Sequence, residues 1–326
     1  MKKVRFGFIG AGLIARIALY PALRNSLFGE IYAVAAKDAD RARVLSPTGK
    51  IYTNYQDLLD DPKVEAVYIS LPNSLHIPWS IKAMQAGKHV LCEKPIAMNA
   101  QELKEAIKVS ESTGKLLMEA SWNRWHPRTV RIKQLVDSGV IGQITKINAS
   151  ATHYQINDIN KIRTTKELGG GSLYDLGPYS AVAPLWITDF APVKDIATEV
   201  VWHPNQVDET LKINYTVGNA QASILTSINI PNTDILIITG TEGKIYTNKN
   251  DAFFSCKQPS SLTIEGKNGI MVEEFKACDP YQLMADSFAK KIRGEQTWTL
   301  SLNESVKFAE LFDELFKKME TYEKGI

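Results

Sequence analysis

Two clusters in this 326-residue chain have residue types and spacings suited to moving a proton. In the stretch HVLCEKPIA (89–97), an apolar run from His89 to Cys92 gives way to Glu93, Lys94 and Pro95. A lysine at the end of a buried strand can give a proton or a hydrogen bond to a hydroxyl or carbonyl oxygen. Its ordinary pKa of about 10.4 has to be lowered by its surroundings before it can exchange that proton near neutrality. The plainer alternative is a Glu–Lys surface pair at a helix start. In ELGGGSLYDLGPYSAVAPLWI, Gly169, Gly170 and Gly171 precede a helical segment holding Asp175 and Tyr179. Those two are four residues apart, so a helix puts both on one face, with about 5–6 Å between β-carbons. A tyrosine with a carboxylate and a lysine nearby can shuttle a proton: the lysine lowers the cost of the phenolate, and Asp175 orients the substrate. The plainer alternative here is a helix N-terminus with a core tyrosine.

A third motif points to what else these groups work with. FIGAGLIA places Gly10, Ala11, Gly12, Leu13, Ile14 and Ala15 directly after an apolar run and at the start of a helix. In such a turn the first glycine permits the tight bend and the second lets the backbone approach a pyrophosphate. A small residue at 15 lets the helix pack near the strand. This is a dinucleotide-binding motif in the context it requires. The second strand ends in Ala35, Ala36 and Lys37, where an NAD site usually carries Asp or Glu. Lys37, supported by Arg41 and Arg43, favours NADP(H) over NAD(H); Asp38 competes in the other direction.

These residues need a scaffold, and the first 120 residues supply one. VRFGFIG (4–10), IYAVAA (31–36), AVYISL (66–71), HVLC (89–92) and KLLMEA (115–120) are short apolar runs that suit strands buried on both faces. Helical spacing separates them. Leu13, Ile17, Tyr20 and Leu23 form one predicted stripe, a second helix ends at Gly87, and a third runs from a cap at Asn99 to Gly114. The alternation predicts βαβ units in a doubly wound parallel sheet. Ligands bind beyond the carboxyl ends of such strands. That places Ser70, Leu71, Pro72, Asn73, Glu93 and Lys94 against the cofactor, with His76 one turn further on. After residue 120, helices are predicted at 128–137, 172–187, 280–293 and 303–323. Most of 143–275 reads as consecutive strands of a largely antiparallel sheet. The fold class is α/β, a Rossmann domain at 1–120 followed by a substrate-binding and oligomerisation domain at 121–326.

The bulk numbers agree with a soluble globular protein. The length suits two domains, 44% of residues are hydrophobic and 23% charged, and the formal charge is +2. That charge gives no footprint for nucleic acid or a membrane surface. Cys92, Cys256 and Cys278 are few and far apart, which suits a reducing compartment and offers no metal spacing. The basic, apolar N-terminus is broken by Gly7, Gly10 and Gly12, unlike a signal peptide. A cytoplasmic protein with no metal is expected. The open face of the antiparallel sheet needs a cover, so a homodimer or homotetramer through it is expected too.

At this point the motifs become specific. Gly10-Ala11-Gly12, Pro72-Asn73 and Glu93-Lys94-Pro95, each after its strand, resemble the Gfo/Idh/MocA oxidoreductases, the glucose–fructose oxidoreductase and inositol dehydrogenase family. The likeness covers essentially the whole chain. It implies a Rossmann domain followed by an α/β domain with a large open, mainly antiparallel sheet, and a catalytic role for Lys94. The run from Gly169 to Tyr179 is similar to the family pattern G-G-G-x-L-x-D-x-G-x-[HY]. Tyrosine at the last position is shared with the glucose–fructose oxidoreductase, dihydrodiol dehydrogenase, xylose dehydrogenase and deoxysugar 3-ketoreductase branches. Arg124-Trp125-His126-Pro127 resembles the R-F-H-P of those branches, which implies that Arg124 and His126 lie near the substrate. The expected activity is hydride transfer between a nicotinamide cofactor and a hydroxyl or carbonyl of a sugar or polyol, with Tyr179, Lys94 and Asp175 catalytic. The alternatives are a 3-ketoreductase of nucleotide-linked deoxysugars and a non-catalytic NADP-binding regulator.

Overall fold

The computed structural model describes residues 2–323 except 158–160, 249, 255–256 and 268, with side chains to residue 320. Cys256 thus lies outside the described residues, while Cys92 is buried and Cys278 half-buried. The chain forms two compact units, Met1–Trp122 with Asp279–Val306, and Asn123–Cys278 with Lys307–Ile326. The sequence keeps 121–326 in one piece; here 279–306 packs with the first unit instead. Phe288, on the helix Pro280–Ile292, meets Phe6 with ring centroids 6.0 Å apart, and Arg293 pairs with Glu65 at 2.8 Å.

The first unit is built on six strands: β1 (Val4–Ile9), β2 (Gly29–Ala35), β3 (Ile51–Tyr52), β4 (Ala66–Ile69), β5 (His89–Cys92) and β6 (Leu117–Glu119). They pair in parallel in the order β3-β2-β1-β4-β5-β6. The winding reverses between β1 and β4, which is where such sheets bind ligands. β3 has two residues and no apolar run, so the sequence does not reveal it. The predicted caps hold: Asn99 accepts the Glu102 N–H at 2.8 Å, and Gly87 and Gly114 take the left-handed backbone that ends their helices. The first helix differs from its predicted stripe. Leu13 and Ile17 are 59% and 58% exposed and Tyr20 is half-buried; Leu23 is buried as expected, and Ala15, Ala18, Leu19 and Ala22 share its face. Residues Ala15–Leu19 form a π-helical turn, and the buried set follows its own helical spacing, i, i+3, i+4, i+7 and i+8.

The second unit is an eight-stranded sheet: β7 (Ile144–Tyr154), β8 (Val193–Trp202), β9 (Asp208–Val217), β10 (Ala220–Ser227), β11 (Asn229–Gly240), β12 (Lys244–Thr247), β13 (Ser260–Gly266) and β14 (Gly269–Phe275). Its order is β14-β13-β12-β11-β7-β10-β9-β8, and every pairing is antiparallel except β7 with β10. Ile147, Ala149, Ile213, Ile224, Leu236 and Ile238 are buried on the inner face. The predicted helix 172–187 is two helices, Ser172–Ser180 and Ala183–Ile187, separated by Ala181 and Val182.

Seating of the helix Ser172–Ser180 explains the triple glycine. Asp208 is buried at the helix N-terminus and accepts from Ser172 Oγ and the Leu173 N–H, both at 2.7 Å. Helix N-termini favour such a negative charge. Gly171 has φ +111°, and a β-carbon there would collide with Asp208 Oδ1. A β-carbon at Gly170 would sit 2.6 Å from the Arg163 carbonyl oxygen. Gly171→Ala should therefore destabilise the protein by about 2 kcal/mol or more; unchanged denaturant unfolding would contradict this seating. Burial pushes the Asp208 carboxyl up to about 6, against the pull of the Ser172 hydroxyl and the backbone N–H groups around it. The unfolded chain gives up that proton first, so stability falls as pH rises from about 4 to about 6. Asp208→Asn removes that fall. Its stability relative to wild type should climb by about 3 kcal/mol over that window and stay level above it, as read from melts at stepped pH.

Candidate functional site

The glycine turn after β1 separates two kinds of need. Gly10 has φ +98°, its N–H donates to the Ala35 carbonyl at 2.9 Å, and a β-carbon would lie 2.9 Å from the Ser70 carbonyl oxygen. The fold itself requires glycine there. At Gly12 a β-carbon would meet only the Ser70 oxygen, at an ordinary 3.8 Å. The packing leaves room at 12, which is what a closely approaching pyrophosphate uses. Ala11 and Ala15 are buried, Ile14 is half-buried and Leu13 stands exposed beside the turn. These residues fit a dinucleotide.

Past β2, Lys37 is exposed. Asp38 is engaged locally: it caps the helix Ala39–Arg43, accepts from the Asp40 and Arg41 N–H groups, and lies 3.5 Å from Arg41 Nε. Arg43 pairs with Asp40.

The loops after β4 and β5 carry the other predicted residues. Ser70, Leu71, Pro72 and Asn73 are half-buried, and Ser70 ties to the β1 end through its N–H to the Ile9 carbonyl at 3.1 Å. His76, expected to border the cofactor, is 1% exposed. Its Nε2 is 2.8 Å from the Leu71 carbonyl oxygen and its Nδ1 is 2.8 Å from that of Pro95. It links the two loops from beneath. Burial pushes its pKa down, and the two carbonyls pull it back.

Glu93, also expected to face the cofactor, turns inward. It is buried and accepts from Tyr68 Oη at 2.6 Å. Burial raises its carboxyl, while Tyr68 and the Lys94 charge oppose the rise. Lys94, next along the chain, is half-buried. The Lys94–Pro95 peptide is cis. Glu119, at the end of β6, is 3% exposed and was not marked by the sequence. It accepts from the Ile96 N–H at 3.2 Å and from Ser305 Oγ at 2.6 Å. Burial pushes it up to about 7, with Ser305, the Ile96 N–H and Lys94 pulling it down and Glu93 adding to the rise.

In the second unit Tyr179 is 6% exposed, with the Phe254 ring 5.0 Å away, edge-on, and the Phe253 ring at 6.5 Å. The segment carrying those rings is pinned. Asp234 accepts the Phe253 and Phe254 N–H groups at 2.7 and 2.8 Å, and Arg128 donates to the Ala252 carbonyl at 2.7 Å and pairs with Asp251 at 2.8 Å. Asp175 Oδ2 lies 2.8 Å from His153 Nε2 on β7 and 2.6 Å from Arg163 Nε. The carboxylate expected to orient substrate therefore holds a histidine and an arginine that the sequence did not single out. Arg124 is half-buried, with its guanidinium 5.0 Å over the Trp186 ring. His126, expected near substrate, is buried instead as the cap of the helix Pro127–Asp137, accepting the Arg128 N–H at 3.1 Å. Burial pushes its pKa down to about 4. Among the described residues no group of three or more His, Cys, Asp or Glu could hold a metal ion, and no helix is long and apolar enough to cross a membrane.

Comparison with known proteins adds an independent line. Residues 4–121 match the family model described as an oxidoreductase family with an NAD-binding Rossmann fold, and residues 129–246 match the GFO/IDH/MocA C-terminal domain. The chain is 31% identical over 324 residues to a D-xylose 1-dehydrogenase (NADP(+)) of Haloferax volcanii, covering 97% of each. It is 31% identical over 272 residues to mouse trans-1,2-dihydrobenzene-1,2-diol dehydrogenase, covering 81% of this chain and 78% of that one. Its fold is similar to a 3-ketoreductase from Actinomadura kijaniata, solved in complex with NADP and TDP-benzene, with a TM-score of 0.88, 26% identity and coverage of 97% and 98%. The open glycine turn, the Lys94 loop and the two-sheet architecture thus belong together: this chain is a member of the Gfo/Idh/MocA oxidoreductase family, an NAD(P)-binding dehydrogenase or reductase.

Proposed function

We propose that the protein is an NADP(H)-dependent enzyme interconverting a hydroxyl and a carbonyl on a sugar or polyol, with Tyr179 as acid–base and Lys94 as the positive charge for the reacting oxygen. The observation that carries this reading is the turn after β5: Glu93 is directed inward while Lys94 remains half-buried. A bound nicotinamide supplies or accepts the hydride. Tyr179 gives or takes the hydroxyl proton. Lys94 stabilises negative charge on the reacting oxygen, a role a metal plays in other dehydrogenases. Asp175, anchored by His153 and Arg163, fixes the helical turn on which Tyr179 stands. Gly10, Ala11, Gly12, Leu13 and Ile14 hold the pyrophosphate, Ser70, Leu71, Pro72 and Asn73 border the rest of the dinucleotide, and Arg124 contacts substrate.

NADP is preferred because the usual acidic residue is missing at the end of β2 and Asp38 is occupied as a helix cap. The named cofactor of the xylose dehydrogenase and the NADP bound to the ketoreductase support the same choice. A second reading, reduction of a 3-keto group on a nucleotide-linked deoxysugar, is favoured by the likeness to the ketoreductase bound to TDP-benzene. The few cysteines fit a cytoplasmic enzyme. A second copy is proposed to cover the outer face of the second sheet, where Leu225, Ile235, Ile237 and Tyr246 are half-buried opposite the inner core.

Lys94→Met and Tyr179→Phe should each lower turnover by ~10²–10⁴-fold while NADPH binding survives; near-wild-type turnover of either would remove that residue from the acid–base role. A panel of aldoses, inositols, keto-sugars and nucleotide-linked keto-sugars, read at 340 nm with NADPH and NADH, separates the substrate readings, and bound NADP with no turnover on any of them would leave a regulator. Lys37→Glu should move the NADPH-to-NADH ratio of kcat/KM by about tenfold or more toward NADH, since a 2′-phosphate would then face a carboxylate. Light scattering should show a dimer or tetramer, and a monomer would contradict the covered sheet.

A further inference from the structure

Lys94 lies in a turn whose other members are each fastened by a buried side chain. Glu93 accepts from Tyr68, the Pro95 carbonyl faces His76, and the Ile96 N–H donates to Glu119. Glu119 is itself fixed on its second oxygen by the hydroxyl of Ser305, in the first turn of the helix Leu302–Glu323. We propose that Glu119 is a positioning residue for Lys94, holding the backbone two residues beyond it and supplying the negative charge that keeps the lysine an ammonium ion.

Burial alone does not explain a carboxylate at this place. A glutamate in an apolar interior costs several kcal/mol unless it is hydrogen-bonded and paired. Glu119 has two donors, and the charge it interacts with favourably is that of Lys94. The other ionisable groups that face it are Glu93, at the end of β5, and the buried thiol of Cys92; both disfavour its ionisation or share its field. Two buried carboxyls beside one ammonium act as a coupled set, in which gain or loss of one proton changes the field at the lysine. Glu119, pushed up to about 7, is the member that changes state near neutral pH. Below that value the lysine has lost one counter-charge; above it the pair is restored.

This inference rests on the catalytic reading of Lys94, and the two can fail separately. Glu119→Gln keeps an acceptor for the Ile96 N–H and a partner for Ser305 but removes the charge. The probe is the amine-labelling rate of Lys94 with trinitrobenzenesulfonate, measured peptide by peptide by mass spectrometry from pH 6 to 9. With the counter-charge gone, more of Lys94 is free amine, so Glu119→Gln should raise its labelling rate at pH 8 by about threefold or more. The ratio should fall toward one as pH drops to 6, and surface Lys108 should not respond. The same substitution should abolish the inflection near pH 7 in kcat. Ser305→Ala, which loosens Glu119 without removing it, should lower kcat more than it changes KM. Lys94 labelling in Glu119→Gln that matched wild type at every pH would overturn the proposal, whatever the activity. A shifted labelling rate together with full turnover of Lys94→Met would instead leave Glu119 in place and refute the catalytic reading.

Discussion

The hydrogen bond from the Ile96 N–H to the Glu119 carboxylate is the interaction on which the order of the turn carrying Lys94 depends. A turn outside a sheet has backbone groups that water would satisfy, and in water it would take many conformations. Here Glu119, with His76 and Tyr68, satisfies that turn from inside the protein. The turn is thereby part of the core although its lysine is not. A side chain as flexible as lysine loses much of its freedom when its backbone and one counter-charge are fixed, and catalysis requires that order before substrate arrives.

The second unit solves its problem the same way, with three buried or half-buried carboxylates. Asp208 occupies the N-terminus of the helix Ser172–Ser180, Asp175 joins that helix to β7 and to Arg163, and Asp234 gathers the loop whose phenyl rings flank Tyr179. Each carboxylate accepts at least two hydrogen bonds or ion pairs, which offsets the cost of taking its charge out of water. The Phe253 and Phe254 rings flank Tyr179, which is almost wholly out of water, and an electrostatic interaction there is worth more than it would be at the surface. Rigid placement and dryness both follow from where acids are buried.

Much of this was legible in the sequence, for definite reasons. Runs of apolar residues marked five of the six strands of the first sheet, because both faces of a parallel sheet are covered. The turns at Gly10, Lys94 and Gly169–Gly171 stood out because glycine, proline and charge are costly next to such strands. Side-chain direction was not legible. Glu93 and His76 occupy the loops where topology puts a cofactor, yet both point inward, a choice made by Tyr68 and by the Pro95 carbonyl. Leu13 and Ile17 fell off the buried face because Ala15, Ala18 and Ala22 occupy it with Leu19, small residues that a stripe drawn through the large ones passes over. Glu119, His153, Arg163 and Asp208 were missed because their partners lie between 12 and 186 residues away in the chain. The signal that could have found them is an ionisable residue at the end of an apolar run, as in KLLMEA.

The central claim is that the protein carries out a redox reaction at a carbinol carbon with a proton handled by its own side chains. Turnover with NADPH deuterated at nicotinamide C4, followed by mass spectrometry of the product, tests it most directly. The account predicts one deuterium at the new carbinol carbon with wild type and a loss of that transfer in step with turnover in Tyr179→Phe. Bound NADPH that never passes its deuterium to any sugar or keto-sugar would contradict it.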